Sequence, residues 1–134
     1  MAITVSQTNV VFRDLDLAFS SNPITGDIAR KYDENAVKQS IKSLILMRPY
    51  ESPFHPEISS QVYNLLFELA TPVTTELIKS SVSQVISKFE PRVAQFAVDV
   101  QDDIDNNAYS ITVEFIVKGS DKSVTLNTLL NRLR

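Results

Sequence analysis

Cysteine and tryptophan are absent from this 134-residue chain, glycine occurs twice and histidine once. Each shortage closes a class of chemistry. Without cysteine there is no disulfide, no thiolate metal site and no thiol nucleophile. Gly26 and Gly119 stand far apart, which excludes a glycine-rich loop that cradles phosphate. The missing tryptophan, with few aromatic residues outside the apparent core, leaves little to stack on a sugar. No run approaches the ~20 apolar residues of a membrane span. Met1 to Val10 lacks the basic region and apolar run of a signal peptide, so the expectation is a soluble chain with no export leader of its own. The net charge of −3 argues against a nucleic-acid surface. What is present is a 43% hydrophobic, 22% charged composition, which specifies a packed core. The length fits one domain over residues 1–134.

The hydrophobic pattern falls into two halves. Leu15, Leu17 and Phe19 alternate with Asp14, Asp16 and Ala18. Val11 to Phe19 therefore reads as a half-buried strand or extended arm. Asn22-Pro23 and Gly26 mark a turn. Asp33 is a good N-cap for a helix over about Glu34–Met47, with Val37, Ile41, Leu44 and Ile45 on its buried face. Pro49, Pro53 and Pro56 make Arg48 to Glu57 a stiff irregular loop, anchored in this reading by a buried Phe54. A second helix is expected over about Ser60–Leu69, apolar on most sides and so central, and a third over about Thr74–Phe89. After Pro91 the period changes from 3.6 to 2. Ala94 to Val100 and Tyr109 to Val117 read as a hairpin around a polar turn at Asp102–Asn107. The tail fits either a helix or a strand, with a third strand to about Leu129 preferred because it extends the hairpin cheaply. The fold class is α+β: three helices packed on one face of a small, mostly antiparallel sheet.

Four constellations bear on chemistry. His55 lies beside Glu57, yet a lone histidine between two prolines is ordinarily a surface residue. Glu57, Glu68, Glu90 and Asp99 are the carboxylates a glycosidase would draw on, and nothing in their spacing singles out a pair. Asp103-x-Asp105-x-Asn107, with Glu114 at the twelfth position, copies part of a calcium loop, but Ala108 stands where the sharp turn needs glycine. No catalytic residue, metal site or cofactor is expected. The fourth is Glu90-Pro91-Arg92. Glu90 sits in the last helical turn, where the macrodipole disfavours a carboxylate by ~0.3–1 kcal/mol. Pro91 ends the helix. Arg92 follows two residues on, on the same side of an extended chain. The pair either braces the corner or presents a charged fork to another molecule, and if exposed it is worth only ~0–1 kcal/mol.

In order and spacing, the chain from about Phe12 to Lys118 resembles the sheath-initiator family of contractile-tailed phage baseplates, wedge proteins historically labelled lysozyme-like. The residues that carry this are Asp14-Leu15-Asp16, Asn22-Pro23 with Gly26-Asp27, and Ala36-Val37-Lys38-Gln39-Ser40-Ile41. They continue with Ser52-Pro53-Phe54-His55-Pro56-Glu57, Leu66-Phe67-Glu68, Thr71-Pro72 and Glu90-Pro91-Arg92-Val93. The family often has glycine and arginine where this chain has Tyr50 and Ser52, and glycine where it has Ser59. The resemblance implies a non-enzymatic structural component of the virion tail baseplate, assembled in the host cytoplasm, with several copies around the sixfold baseplate. Its implied partners are larger wedge proteins, docked through Glu90, Pro91 and Arg92, and the tail sheath protein, whose strands add to a sheet edge. Neither nucleic acid nor membrane is among them. The expected edge carries Ser110, Thr112, Glu114, Ile116 and Lys118, a long stretch without proline or glycine. A peptidoglycan-cleaving tail lysozyme and a regulatory adaptor of the same fold are the alternatives.

Overall fold

The change of period at Pro91 divides the chain in space as it does in sequence. A computed structural model describes residues 12–28 and 30–133. Met1 to Val11, which include the segment read for a leader and the start of the expected first strand, lie outside the described residues. In chain order the elements are β1 (Arg13–Leu15), β2 (Arg30–Tyr32), α1 (Asp33–Leu46), α2 (Val62–Leu65), α3 (Pro72–Phe89), β3 (Val93–Asp103), β4 (Ala108–Val117) and β5 (Ser123–Asn131). Strands β1 and β2 form a small antiparallel ribbon, and β3-β4-β5 form an antiparallel meander. Among the described residues no helix is long and apolar enough to cross a membrane.

The core lies between the meander and the helices. Tyr109, Ile111, Val113, Phe115 and Val117 of β4, at alternate positions, form its floor. Val98 and Val100 of β3 and Leu126 and Leu130 of β5 flank them. Val37, Ile41 and Ile45 of α1 and Ile78, Val82 and Ile86 of α3 close it from above, each at helical spacing. Thr71 caps α3, its Oγ1 accepting the Thr74 N–H at 3.2 Å, with Pro72 in the first turn where no amide partner is missed. The turn between β3 and β4 closes with Asn107 at φ 50°, a conformation asparagine tolerates better than most residues. The tail is a strand to Asn131, two residues beyond the preferred reading.

Five expectations are corrected. The second helix is a single turn, because the amides of Phe67 and Glu68 bond three residues back (3.2 and 3.1 Å) and tighten the chain out of α geometry. It sits at the border of the core, with Val62 and Leu66 buried and Phe67 and Leu69 exposed. Phe54 is 89% exposed and anchors nothing; Ser60 holds the end of that loop instead, its N–H donating to the Met47 carbonyl at 3.0 Å. Asp33 does not cap α1. It opens the helix at φ 48°, and its amide and Oδ1 both bond the backbone of Phe12, at 2.7 and 3.1 Å. In the first strand the burial is inverted: Leu15, Leu17 and Phe19 are exposed and Asp16 is buried. Alternation identifies an inner face only where another element covers that face, and here α1 lies against the ribbon with Asp16, not the apolar residues, on the covered side.

The fifth correction concerns the sheet edge. Ser110, Thr112, Glu114 and Ile116 belong to β4, which is the central strand. Ser110 faces Gln101 on one side and Leu129 on the other, and Ile116 faces Gln95 and Ser123. Lys118 follows the strand, and its N–H donates to the Arg92 carbonyl at 2.9 Å. The backbone of β4 is therefore already paired on both sides. The absence of proline and glycine marks a strand that needs all its donors, which is as much the property of a central strand as of a receptive edge.

Candidate functional site: the corner and the free edge

Glu90 is where α3 stops. It has left helical geometry (φ −119°, ψ 82°), while its N–H still reaches the Ile86 carbonyl at 3.1 Å. Its side chain is 2% exposed, a carboxylate taken almost wholly out of water at the negative end of a helix. Arg92 answers it with two parallel bonds, Nε to Oε1 at 2.7 Å and Nη2 to Oε2 at 3.0 Å. This bidentate geometry is open to arginine and not to lysine. The Arg92 backbone N–H reaches the same Oε1 at 3.4 Å, and the nearby Ser40 hydroxyl of α1 also favours the charged form of Glu90. Burial pushes the Glu90 carboxyl up, but Arg92 and Ser40 outweigh it and hold the group below its ordinary value. Arg92 is raised in turn, first by its bonds to Glu90, against burial, and further by Asp14.

Asp14 and Phe12, to which no local pattern assigns a role, complete the corner. Asp14 of β1 accepts from Arg92 Nη1 at 3.1 Å, and the guanidinium lies 5.7 Å from the centre of the Phe12 ring. The contact joins positions 78 residues apart, so no local pattern announces it. The one signal was the presence of Asp14 and Ser40 in the ordered series of the resemblance. The corner thus clamps the β1 ribbon, α1, the end of α3 and the start of β3. Pro91 stands exposed at its apex, beside an Arg92 side chain that is 21% exposed.

The other candidates come apart. Glu90 offers no general acid, since that role needs a raised carboxyl and a free proton and this one is lowered and doubly bonded. His55 and Glu57 meet at 3.1 Å on the open surface. A backbone hydrogen bond first, and His55 second, hold Glu57 below its ordinary value, again the wrong direction for a proton donor. Glu68 and Asp99 are exposed. In the calcium-like stretch, Asp103 is occupied by Asn106, whose Nδ2 donates at 2.7 Å. Glu114 lies six residues up β4 from Ala108, which at about 3.3 Å per residue places it ~20 Å from the turn. Among the described residues no group of three metal-binding side chains occurs.

Among the described residues the free edges of the meander are β3 and β5, and they differ. The register of β3 slips between Val93 and Gln95, and the strand carries Asp99, Asp102 and Asp103. Bulges and charges are the devices that blunt an edge. Ser123–Asn131 has nine residues with no charge, proline or glycine, and it pairs with β4 without a slip. An uncharged, regular edge of that length is the kind natural proteins avoid unless it is paired.

The architecture defines a class before it defines a family. It is shared with a solved structure titled a putative tail lysozyme from Geobacter sulfurreducens, with a TM-score of 0.69 and 18% identity over 75% of this chain and 92% of that one. It is also shared with a chain of the sixfold-symmetrised baseplate of the anti-feeding prophage, with a TM-score of 0.59 and 15% identity over 96% and 91% of the two chains. At those identities the likeness is one of fold. The family follows from the sequence. Residues 31–122 match the model of the family described as baseplate wedge protein gp25, and the chain belongs to that family. It is 25% identical over 113 residues to baseplate wedge protein gp25 of Enterobacteria phage T4, covering 84% of this chain and 85% of that protein. The baseplate wedge resemblance read from the Glu-Pro-Arg corner and its ordered companions is thereby upheld.

Proposed function

We propose that this chain is a structural, non-enzymatic component of a contractile tail baseplate wedge, and that it works as an adaptor with two joints. The family match carries the baseplate role, and it spans the whole Glu90-Pro91-Arg92 corner. At the first joint the larger wedge proteins dock on the corner. Of the five N–H groups of Arg92, three are bound internally, which leaves one on each terminal nitrogen for a partner carbonyl or carboxylate. The internal pair brings those groups to the partner already oriented, so little rotamer entropy is lost on docking. At the second joint the tail sheath protein adds a strand to β5. This moves the joint from the central strand to the edge that lacks protection. Several copies then stand around the sixfold baseplate of a virion tail assembled in the host cytoplasm.

The reading is tested by co-purification from an assembling tail lysate. Arg92→Lys keeps the charge and loses the fork, and it is expected to drop the wedge proteins from the pull-down while the chain stays folded. Thr125→Lys with Leu129→Lys protects the edge and is expected to drop the sheath protein alone. Reproducible turnover of purified peptidoglycan by the wild type, lost in Glu57→Gln, Glu68→Gln or Glu90→Gln, would overturn the structural assignment in favour of a lysozyme.

A further inference from the structure

Beside the β5 edge lies a groove of about 490 Å³. One wall is the Asp16–Ala18 segment, the other is the face of α1 that carries Lys38, Lys42 and Leu46, and Leu126 of β5 lies at the base. The first wall is fixed. The Gln39 carboxamide donates to the Leu15 carbonyl at 2.7 Å and accepts from the Leu17 amide at 3.2 Å. Asp16 turns its carboxylate into its own segment, accepting from the Ala18 amide at 3.1 Å and from the Ser20 hydroxyl. The second wall is unsatisfied. Lys38 and Lys42 stand one helical turn apart, a like-charge spacing that disfavours the helix by a few tenths of a kcal/mol. Neither has an acidic partner among the described residues. Leu17 and Leu46 are exposed beside them.

A strand added to β5 lies ~4.8 Å beyond it, and its inward side chains, every second residue, point to the helix side of the sheet, where this groove lies. We propose that the groove selects the donor: it receives one extended segment of the sheath partner whose inward positions carry an apolar residue next to an acidic one. The apolar side chain fills the space among Leu17, Leu46 and Leu126, and the carboxylate two residues away sits between Lys38 and Lys42. Charge complementarity assigns the occupant, since the two free ammonium groups outnumber the one carboxylate of the walls, which is already bonded. The inference rests on strand addition at β5 and adds the chemistry of the donor.

The test tethers a donor to the intact chain. A Gly/Ser linker of about 20 residues after Arg134 has a root-mean-square span of ~25 Å, which permits either strand direction. It presents the donor at an effective concentration of order millimolar. One donor reads Thr-Leu-Thr-Glu-Thr-Val-Thr and the other replaces its Glu with Lys. Hydrogen exchange of the β5 amides that point away from β4 is the readout. Protection is expected to be about tenfold or more higher with the Glu donor at low ionic strength. The preference is expected to reverse in Lys38→Glu/Lys42→Glu. Equal protection by both donors would overturn the groove's selectivity and leave strand addition standing. No protection by either would overturn strand addition itself. An untethered chain that sediments as a dimer with those amides already protected would show that the occupant is a second copy, and would also overturn the proposal.

Discussion

Arg92→Ala separates bracing from mere proximity. The substitution removes two bonds to Glu90 and one to Asp14 and leaves a carboxylate at 2% exposure beside the end of α3. An exposed pair would cost at most ~1 kcal/mol. Breaking a fully buried pair by removing one partner costs ~3–5 kcal/mol, because the remaining charge has no answer. This corner lies between those limits. Glu90 is buried, Arg92 is 21% exposed, the backbone N–H of residue 92 still donates to Glu90, and water enters the space the guanidinium vacates. The expected loss is about 2–3 kcal/mol. For a chain of this length that lowers the melting temperature by roughly 10 °C. Equilibrium urea unfolding gives the free energy, with an unchanged slope showing that the fold is intact. Glu90→Gln/Arg92→Met removes both charges and is expected to recover more than half of the loss, since it strands no ion. Asp14→Asn, at a more exposed position, is expected to cost below ~1 kcal/mol. A loss under ~0.5 kcal/mol for Arg92→Ala would refute the reasoning, because Glu90 would then have to be neutral or hydrated in the fold. The comparison also bears on docking. A corner that braces the fold makes Arg92→Ala a poor docking variant and Arg92→Lys, which keeps a charge near Glu90, the better one.

Acid provides an independent check on the same group. Glu90 is held below its ordinary value, so its contribution is complete above an unfolded pKa of ~4.3 and is lost as pH falls through the lower folded value. Stability is expected to decline below about pH 5, less steeply in Glu90→Gln, with Glu57 supplying the part of the slope that persists. Tyr50 holds φ 63° with its side chain in solvent, so Tyr50→Gly relieves left-handed strain without losing a contact and is expected to raise stability by up to ~1 kcal/mol in urea unfolding. Thr71→Ala removes the cap of α3 and is expected to cost ~1 kcal/mol, with exchange quickening at the Thr74 amide.

The Tyr50 loop shows what a resemblance conveys. The sequence marked position 50 as a departure from a family that often has glycine thereabouts. The backbone still adopts the conformation glycine takes freely, and the tyrosine bears the strain. Ser59 keeps an ordinary φ, so there the glycine of other members answers no such demand in this chain.

Periodicity and punctuation were enough to read α1, α3, the β3–β4 hairpin and the halt at Pro91, because each depends on neighbours within a few residues. The third strand was preferred for a similarly local reason, that a short turn returns the chain beside its last strand. Which strand is central was not local. Among the described residues the meander has two free edges, and only the pairing of β5 on the far side of β4 turns the long, breaker-free run at Ser110 from an expected edge into the middle of the sheet. The failures at Leu15, Leu17, Phe19 and Phe54 share one cause. An apolar side chain is buried only if some other element covers it, and the sequence of a strand or loop does not say whether such an element arrives. The corner followed the same division. Its charge pair and its rigidity were visible in three residues, while its burial, its third partner Asp14 and its tie to Ser40 come from parts of the chain that only tertiary packing brings to the end of α3. That packing is what converts a surface ion pair worth almost nothing into a clamp, because removing water from Glu90 makes each remaining bond to it necessary.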